Sequence, residues 1–185
     1  MVPLTALWLP IVVSAVLVFI ASSILHMVLP FHRNDYKKLP NEDGVLDALR
    51  TAGIPPGDYF FPRPSNPKDM SSQETIERFK KGPVGLLTVI PNGPPVLPKH
   101  LGQWFVLCLV LSYFVAYLTG RTLGPGAEYL RVFQIAGCAA FLAYAGCCAA
   151  DSIWKGIAWS TTFKHIFDGL IYALLTAGAF GWLWP

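Results

Sequence analysis

Residues 4–29 run for 26 positions without an Asp, Glu, Lys or Arg. A helix of that length, rising about 1.5 Å per residue, measures about 39 Å, enough to cross a ~30 Å hydrocarbon core with some tilt. A cleaved signal peptide fits poorly. No basic segment precedes the run, the run exceeds a signal's apolar stretch, and Pro30-Phe31-His32-Arg33 is unlike a small-residue cleavage site. We therefore expect a retained membrane helix, with Pro10 in its first turns, where a missing N–H costs least.

Three further apolar runs follow: Leu101–Gly120, Val132–Ala150 and Gly169–Trp184. The last is short and needs Phe163–Asp168 to complete a span, which draws Lys164, His165 and Asp168 into its first turns. Charged residues make up only 14% of the chain, against about 25% in soluble domains. The expected fold is all-α: a polytopic integral membrane protein forming one membrane domain (1–185), with transmembrane helices at 4–29, 101–120, 129–150 and 163–184 packed as a four-helix bundle. Between the first two lies a long proline-rich cytoplasmic loop, 31–100.

That loop carries two helix signals. Asn41-Glu42-Asp43 before Val45, Leu46 and Leu49, with Gly53 beyond, reads as a capped amphipathic helix. Ser71-Ser72-Gln73-Glu74 reads as a capping box opening a second helix that ends near Lys81-Gly82. Tyr59-Phe60-Phe61 and Leu86–Ile90 are too short to span, and we expect them against the membrane surface or the helix ends.

Ten of the 14 Lys and Arg lie in 31–100, whereas only Arg121 and Arg131 fall on the opposite side of a four-span topology. The positive-inside rule then places the loop in the cytoplasm and both termini outside, in a plasma membrane. The net charge of +3 is too weak to argue for nucleic acid. The cysteines Cys108, Cys138, Cys147 and Cys148 all lie in apolar runs and form no zinc or disulfide pattern.

Rotation by about 100° per residue sets Ala136, Ala139, Ala143, Gly146 and Ala150 on one face of the third helix. Gly169, Ala173, Ala177 and Gly181 fall on one face of the fourth. Small residues allow close helix approach in lipid, either within the protein's own bundle or against another chain.

The ionisable residues gather at one membrane surface. His26 ends the first span, His100 precedes the second, Asp151 ends the third, and Lys164, His165 and Asp168 open the fourth. Three readings follow. In the first, Asp168 pairs with Lys164 or His165 and Asp151 is satisfied at the surface. In the second, His26, His165 and Asp168 hold a metal or haem, with His100 or Asp151 completing the set. In the third, Asp168, Tyr172 and Thr176, on one helical face, form a polar path for protons or a small solute. No G-x-S-x-G, H-E-x-x-H, P-loop or G-x-G-x-x-G is present.

Gly82-Pro83-Val84-Gly85, Asn92-Gly93-Pro94 and the closing Phe180-Gly181-Trp182-Leu183-Trp184-Pro185 resemble segments of small bacterial inner-membrane proteins. That resemblance implies a multi-pass inner-membrane location and no activity or cofactor. With no reaction motif and two close-packing stripes, the expected function is a non-enzymatic accessory or assembly subunit of a larger membrane complex. Its partners would be the lipid bilayer and a protein partner or a second copy. The alternatives are a small transporter or proton-coupled carrier built on Asp168, and a metal- or haem-binding membrane oxidoreductase component.

Overall fold

The computed structural model describes every residue, Met1–Pro185. The chain is mostly helical and separates into two compact units, Met1–Tyr36 with Val96–Pro185, and Lys37–Pro95.

In the first unit, a 3-10 turn at Leu4–Leu7 leads into α1 (Trp8–Ser23), which widens into a π-helical turn at Ile24–Val28. Helix α4 (Leu97–Thr122) begins four residues before the uncharged run, with Pro98 in the first turn, where proline is tolerated. The expected third span is interrupted. Helix α5 (Tyr129–Ala145) stops, and α6 (Cys148–Lys155) continues after Gly146-Cys147. Helix α7 (Trp159–Trp182) closes the chain and starts four residues before the expected 163. Three segments are long and apolar enough to cross a membrane: Leu4–Val28, Leu97–Thr122 and Tyr129–Lys155. Their outer faces display Trp8, Ile20, Val106, Val110 and Phe114, an apolar covering suited to lipid and adhesive in water.

Helix α1 packs on α4 and α7, and α5 packs on α4 and α7. The expected stripe on α7 is the face that meets α5. A Cβ at Gly169 would stand 2.8 Å from that of Ala145, a Cβ at Gly137 would stand 3.1 Å from that of Ala177, and one at Gly181 would press on the Tyr129 ring. The expected stripe on the third helix is rotated. Val132, Ala136 and Ala140, at four-residue spacing, are buried, while Ala143, Gly146 and Ala150 are exposed. The phase is already off within α5, where Ala143 is exposed and Ala140 buried, and the break at Gly146 then separates Ala150 from that helix. Between α1 and α4 the interior is polar, with the Ser14 hydroxyl donating to that of Ser112 at 3.0 Å.

The second unit holds α2 (Glu42–Thr51), β1 (Gly57–Phe61), a 3-10 turn (Pro67–Ser71), α3 (Gln73–Lys81) and β2 (Gly85–Val89). The two short apolar pieces find each other: β1 and β2 pair antiparallel, Gly57 opposite Val89 and Phe61 opposite Gly85. Their backbone groups needed partners, and each strand supplies them to the other. Caps also differ from expectation. Asn41 adopts a left-handed backbone without bonding through its side chain, and Ser72, not Ser71, caps α3 by accepting from the Thr75 N–H at 3.2 Å. Gly53, at φ +62°, follows α2 as expected.

Candidate metal centre

Pro30 decides where the first functional side chains go. The residue before it, Leu29, is extended (φ −80°, ψ 145°), the conformation that a following proline favours. Pro30 then opens a 3-10 turn ending at His32. This reversal folds His32 back over His26, and the two rings stack with centroids 4.1 Å apart and planes 5° from parallel. His26 itself rides on the π-helical turn, a distortion frequent at functional sites.

Helix α7 delivers the other half. Its first turns carry Lys164, His165 and Asp168, and Asp168 is 2% exposed. His32 Nε2 lies 3.0 Å from Asp168 Oδ2, and His26 Nε2 lies 3.8 Å from the same oxygen. His32 Nδ1 is 2.6 Å from Asp35 Oδ2, and Lys164 Nζ donates to Asp35 Oδ1 at 2.6 Å. The His165 ring stands 5.8 Å from that of His32.

The outer nitrogens of both stacked rings are occupied. His26 Nδ1 sits 3.1 Å from the Ser22 carbonyl, which can only accept, so this nitrogen donates. His32 Nδ1 donates to the Asp35 carboxylate. In the neutral form of each ring, Nε2 is then the acceptor nitrogen, and both face Asp168. His32 Nε2 and both Asp168 carboxylate oxygens are buried without a hydrogen-bond partner. The 3.0 Å contact brings them together without hydrogen-bond alignment. An ionised carboxylate in such a place costs several kcal/mol unless a cation faces it.

No family model, curated protein or solved structure matches this chain. The chemistry must be read from the atoms.

Those atoms offer a transition metal one histidine–carboxylate pair, His32 Nε2 with Asp168. They do not offer both stacked rings at once: rings 4.1 Å apart and 5° from parallel cannot aim two in-plane lone pairs at one ion. Histidine and carboxylate ligands lie about 2.0–2.2 Å from zinc, which sets tetrahedral ligand atoms about 3.3–3.5 Å apart. The observed 3.0 and 3.8 Å bracket that spacing, and one ligand atom from each of His26, His32 and Asp168 lies within 4.8 Å of the others. Asp35 and the Ser22 carbonyl hold the opposite ring nitrogens, as outer-sphere partners of metal-bound histidines do. His32, Asp35 and His165 form a second, overlapping set. Burial pushes the Asp35 carboxyl up, but the hydrogen bonds and charges of Lys164 and His32 outweigh it and hold Asp35 below the usual carboxylate range.

A cavity of about 420 Å³ adjoins the centre, lined by Ser22, His26, Trp104, Tyr144, His165 and Asp168 among others. The hydroxyls of Tyr144, Tyr172 and Thr176 are buried without partners.

Of the expected metal set, His26 and Asp168 fall in one possible ligand group with His32, and His165 falls in the other, with His32 and Asp35. The structure leaves out both proposed completing residues. His100 is exposed in the first turn of α4, and Asp151 pairs with Lys155 at 2.8 Å. Lys164 is drawn to Asp35 and not to Asp168, because the turn after Pro30 brings a second carboxylate within reach. Sequence reasoning missed His32 and Asp35, having assigned them to the loop. One signal was available: His32-x-x-Asp35 repeats the spacing of His165-x-x-Asp168.

Proposed function

We propose that this protein is a multi-pass membrane metalloprotein that holds a divalent transition metal of the zinc type. Its ligands are Asp168, His32 Nε2 and, once its ring swings out of the stack on His32, His26 Nε2, with a coordination position open toward the cavity. The observation that carries this reading is the pair of buried, unpartnered ligand atoms, His32 Nε2 and Asp168 Oδ2, held 3.0 Å apart while His32 Nδ1 is committed to Asp35. Three protein ligands with an open position characterise catalytic sites, where the metal makes bound water a nucleophile near neutral pH. The activity we assign is metal-activated water chemistry at the membrane surface, with His165 beside the centre to move a proton.

Helix α7 is the fourth span in this reading. Segment 31–100 lies in the cytoplasm, as its basic residues favour, and the centre sits at that surface. The α7 stripe that could have docked a partner subunit is covered by α5, which removes one support for an accessory-subunit role.

Metal analysis of the full chain in mild detergent, loaded with Zn²⁺ and dialysed, tests the proposal. One tightly held ion per chain is expected, with occupancy lowered at least tenfold in His32→Ala. A wild-type protein that retains no metal ends the reading.

A second reading is favoured by the unpartnered Tyr172 and Thr176 hydroxyls below Asp168, which could carry protons inward. It requires Tyr172→Phe to abolish proton uptake into liposomes while leaving metal content unchanged. Uptake equal to wild type would exclude it.

A further inference from the structure

We propose that the α3–β2 side of the second unit, Lys37–Pro95, is a docking surface for an anionic bilayer. No bound metal is needed for this docking, which stands or falls apart from the metal reading.

Residues 37–95 fold without an apolar core of their own. Thr75, 4% exposed, is the one buried residue among them, and it is polar. A two-stranded sheet is marginal in water unless something covers its apolar face. Strand β2 shows which face is uncovered. Gly85, Leu87 and Val89 are half-buried, whereas Leu86 and Thr88 are exposed, as are Val84 and Ile90 in the same alternation beyond the strand ends. Val84, Leu86 and Ile90 are 52%, 48% and 69% exposed. A strand with one face in water places polar residues there, yet only Thr88 of these outward residues is polar. Phe60, opposite Leu86 in the sheet, extends the face to Phe79 of α3, with ring centroids 6.1 Å apart. Ile76, one turn before Phe79, is exposed as well.

Charge decides what covers this face. No Asp or Glu occurs between Glu77 and Glu128, and within the unit that stretch carries Arg78, Lys80 and Lys81, all exposed at the end of α3. Apolar side chains rimmed by basic ones settle on anionic lipid, the first entering the acyl boundary and the second meeting phosphates. Helix α2 has the opposite sign. It holds Glu42, Asp43 and Asp47 against Arg50, which is bonded to Asp47 at 2.6 Å. An anionic leaflet therefore attracts the α3–β2 side and repels α2, which fixes which side docks.

The chain itself brings the bilayer within reach. The membrane-competent segment Leu4–Val28 ends nine residues before Lys37, and the next, Leu97–Thr122, begins two residues after Pro95. Ile90 is seven residues from Leu97, a distance of at most about 25 Å even when fully extended. Contacts too weak to recruit a soluble partner suffice for a surface held this close, because tethering raises its effective concentration.

The test uses the full chain with the photocrosslinker benzoylphenylalanine in place of Leu86 or, as the control on α2, of Leu46. Each is reconstituted in phosphatidylcholine vesicles with and without phosphatidylglycerol, illuminated, and the adducts weighed by mass spectrometry. Phospholipid adducts are expected at position 86, about fivefold more abundant with phosphatidylglycerol present and about fivefold scarcer at position 46. Lys80→Gln with Lys81→Gln should lower the yield at position 86 about tenfold in the anionic vesicles. Raising the salt to about 1 M should lower it in the unaltered sequence as well, without any change to α3.

Adducts that join two chains would overturn the proposal and make the face a contact between copies. Equal lipid labelling in neutral vesicles, or a yield indifferent to salt, would overturn the role of charge. Labelling at Leu46 as heavy as at Leu86 would overturn the assignment of the docking side. Metal content is unaffected by any of these outcomes, so failure here leaves the metal reading where it was.

Discussion

The two ends of the membrane unit are built on opposite terms. At the closed end, where Val2, Trp184 and Pro185 bond back to α4 and the turn after it, three N–H donors find carbonyl partners. The Val2 N–H donates to the Gly120 carbonyl at 2.8 Å, the Gly126 N–H to the Pro185 carbonyl at 2.7 Å, and Trp184 Nε1 to the Gly124 carbonyl at 2.9 Å. A Cβ at Gly120 would stand 2.8 Å from the Val2 carbonyl oxygen, so α4 and Val2 meet closely at that point. Beside it lies a cavity of about 390 Å³ lined by Met1, Val2, Pro3, Leu4, Tyr117 and Arg121. At the other end the cavity is lined by ionisable groups, two histidines stack face to face, and a buried carboxylate has no hydrogen-bond partner. Close packing and satisfied polar groups are how a fold gains stability in lipid. A site that leaves polar atoms buried and unpaired gives up stability for binding or chemistry.

Four substitutions would break or sharpen this contrast. The largest effect is expected at Asp168. Asp168→Asn should lower metal affinity by about 100-fold or more, since a neutral amide replaces the only anionic ligand. The metal-free variant should melt no lower than metal-free wild type, because an uncompensated buried charge is gone. Metal titration and thermal melts check both halves. A metal-free melt well below wild type would mean that Asp168 is a structural ion-pair partner of His32, and the two ends would then differ less than argued.

Asp35→Asn should come next, with a metal affinity about 10–100-fold weaker, because the carboxylate that orients His32 is an outer-sphere partner. Competition with a chelator measures it. At the closed end, Gly120→Val should destabilise by about 1–3 kcal/mol through overpacking against Val2 and Leu7, with metal content unchanged. Denaturation in mixed micelles measures the first, elemental analysis the second. The smallest effect is expected from Trp184→Phe, about 0.5–1.5 kcal/mol for one lost hydrogen bond, again without effect on metal. Loss of metal in either closed-end variant would show that the ends are coupled and that the contrast is not local.

Part of this architecture was legible without coordinates. Uncharged runs located three membrane-competent segments to within a few residues, because both the cost of burying charge and the length needed to cross lipid are local properties of sequence. The four-residue spacing of Gly169, Ala173, Ala177 and Gly181 gave the face of α7 that meets α5, since helical phase is also local. On the third segment the small residues did not mark the buried face: Ala143 is exposed within α5 while Val132 and Ala140 are buried. Caps were nearly right: Ser72 replaced Ser71 because both residues can accept from an N–H two or three positions on, and only backbone geometry selects between them.

The site was half legible. His26, His165 and Asp168 stood out as ionisable groups at the edges of apolar runs, where their cost draws attention. His32 and Asp35 did not, lying beyond the run among other polar residues. The sequence by itself determined that charge is scarce in the long apolar runs, that most basic residues fall in segment 31–100, and which helix faces carry small residues. Tertiary structure decided what no spacing contains: that Pro30 turns the chain back to stack His32 on His26, and that Asp35, 129 positions from Lys164, meets its ammonium. It also decided that two apolar pieces 24 residues or more apart pair as strands. The reason is physical. Helix formation and membrane partition are set within a window of neighbours, whereas a site assembled from two chain segments depends on how those segments cross, and that is fixed only when the helices pack.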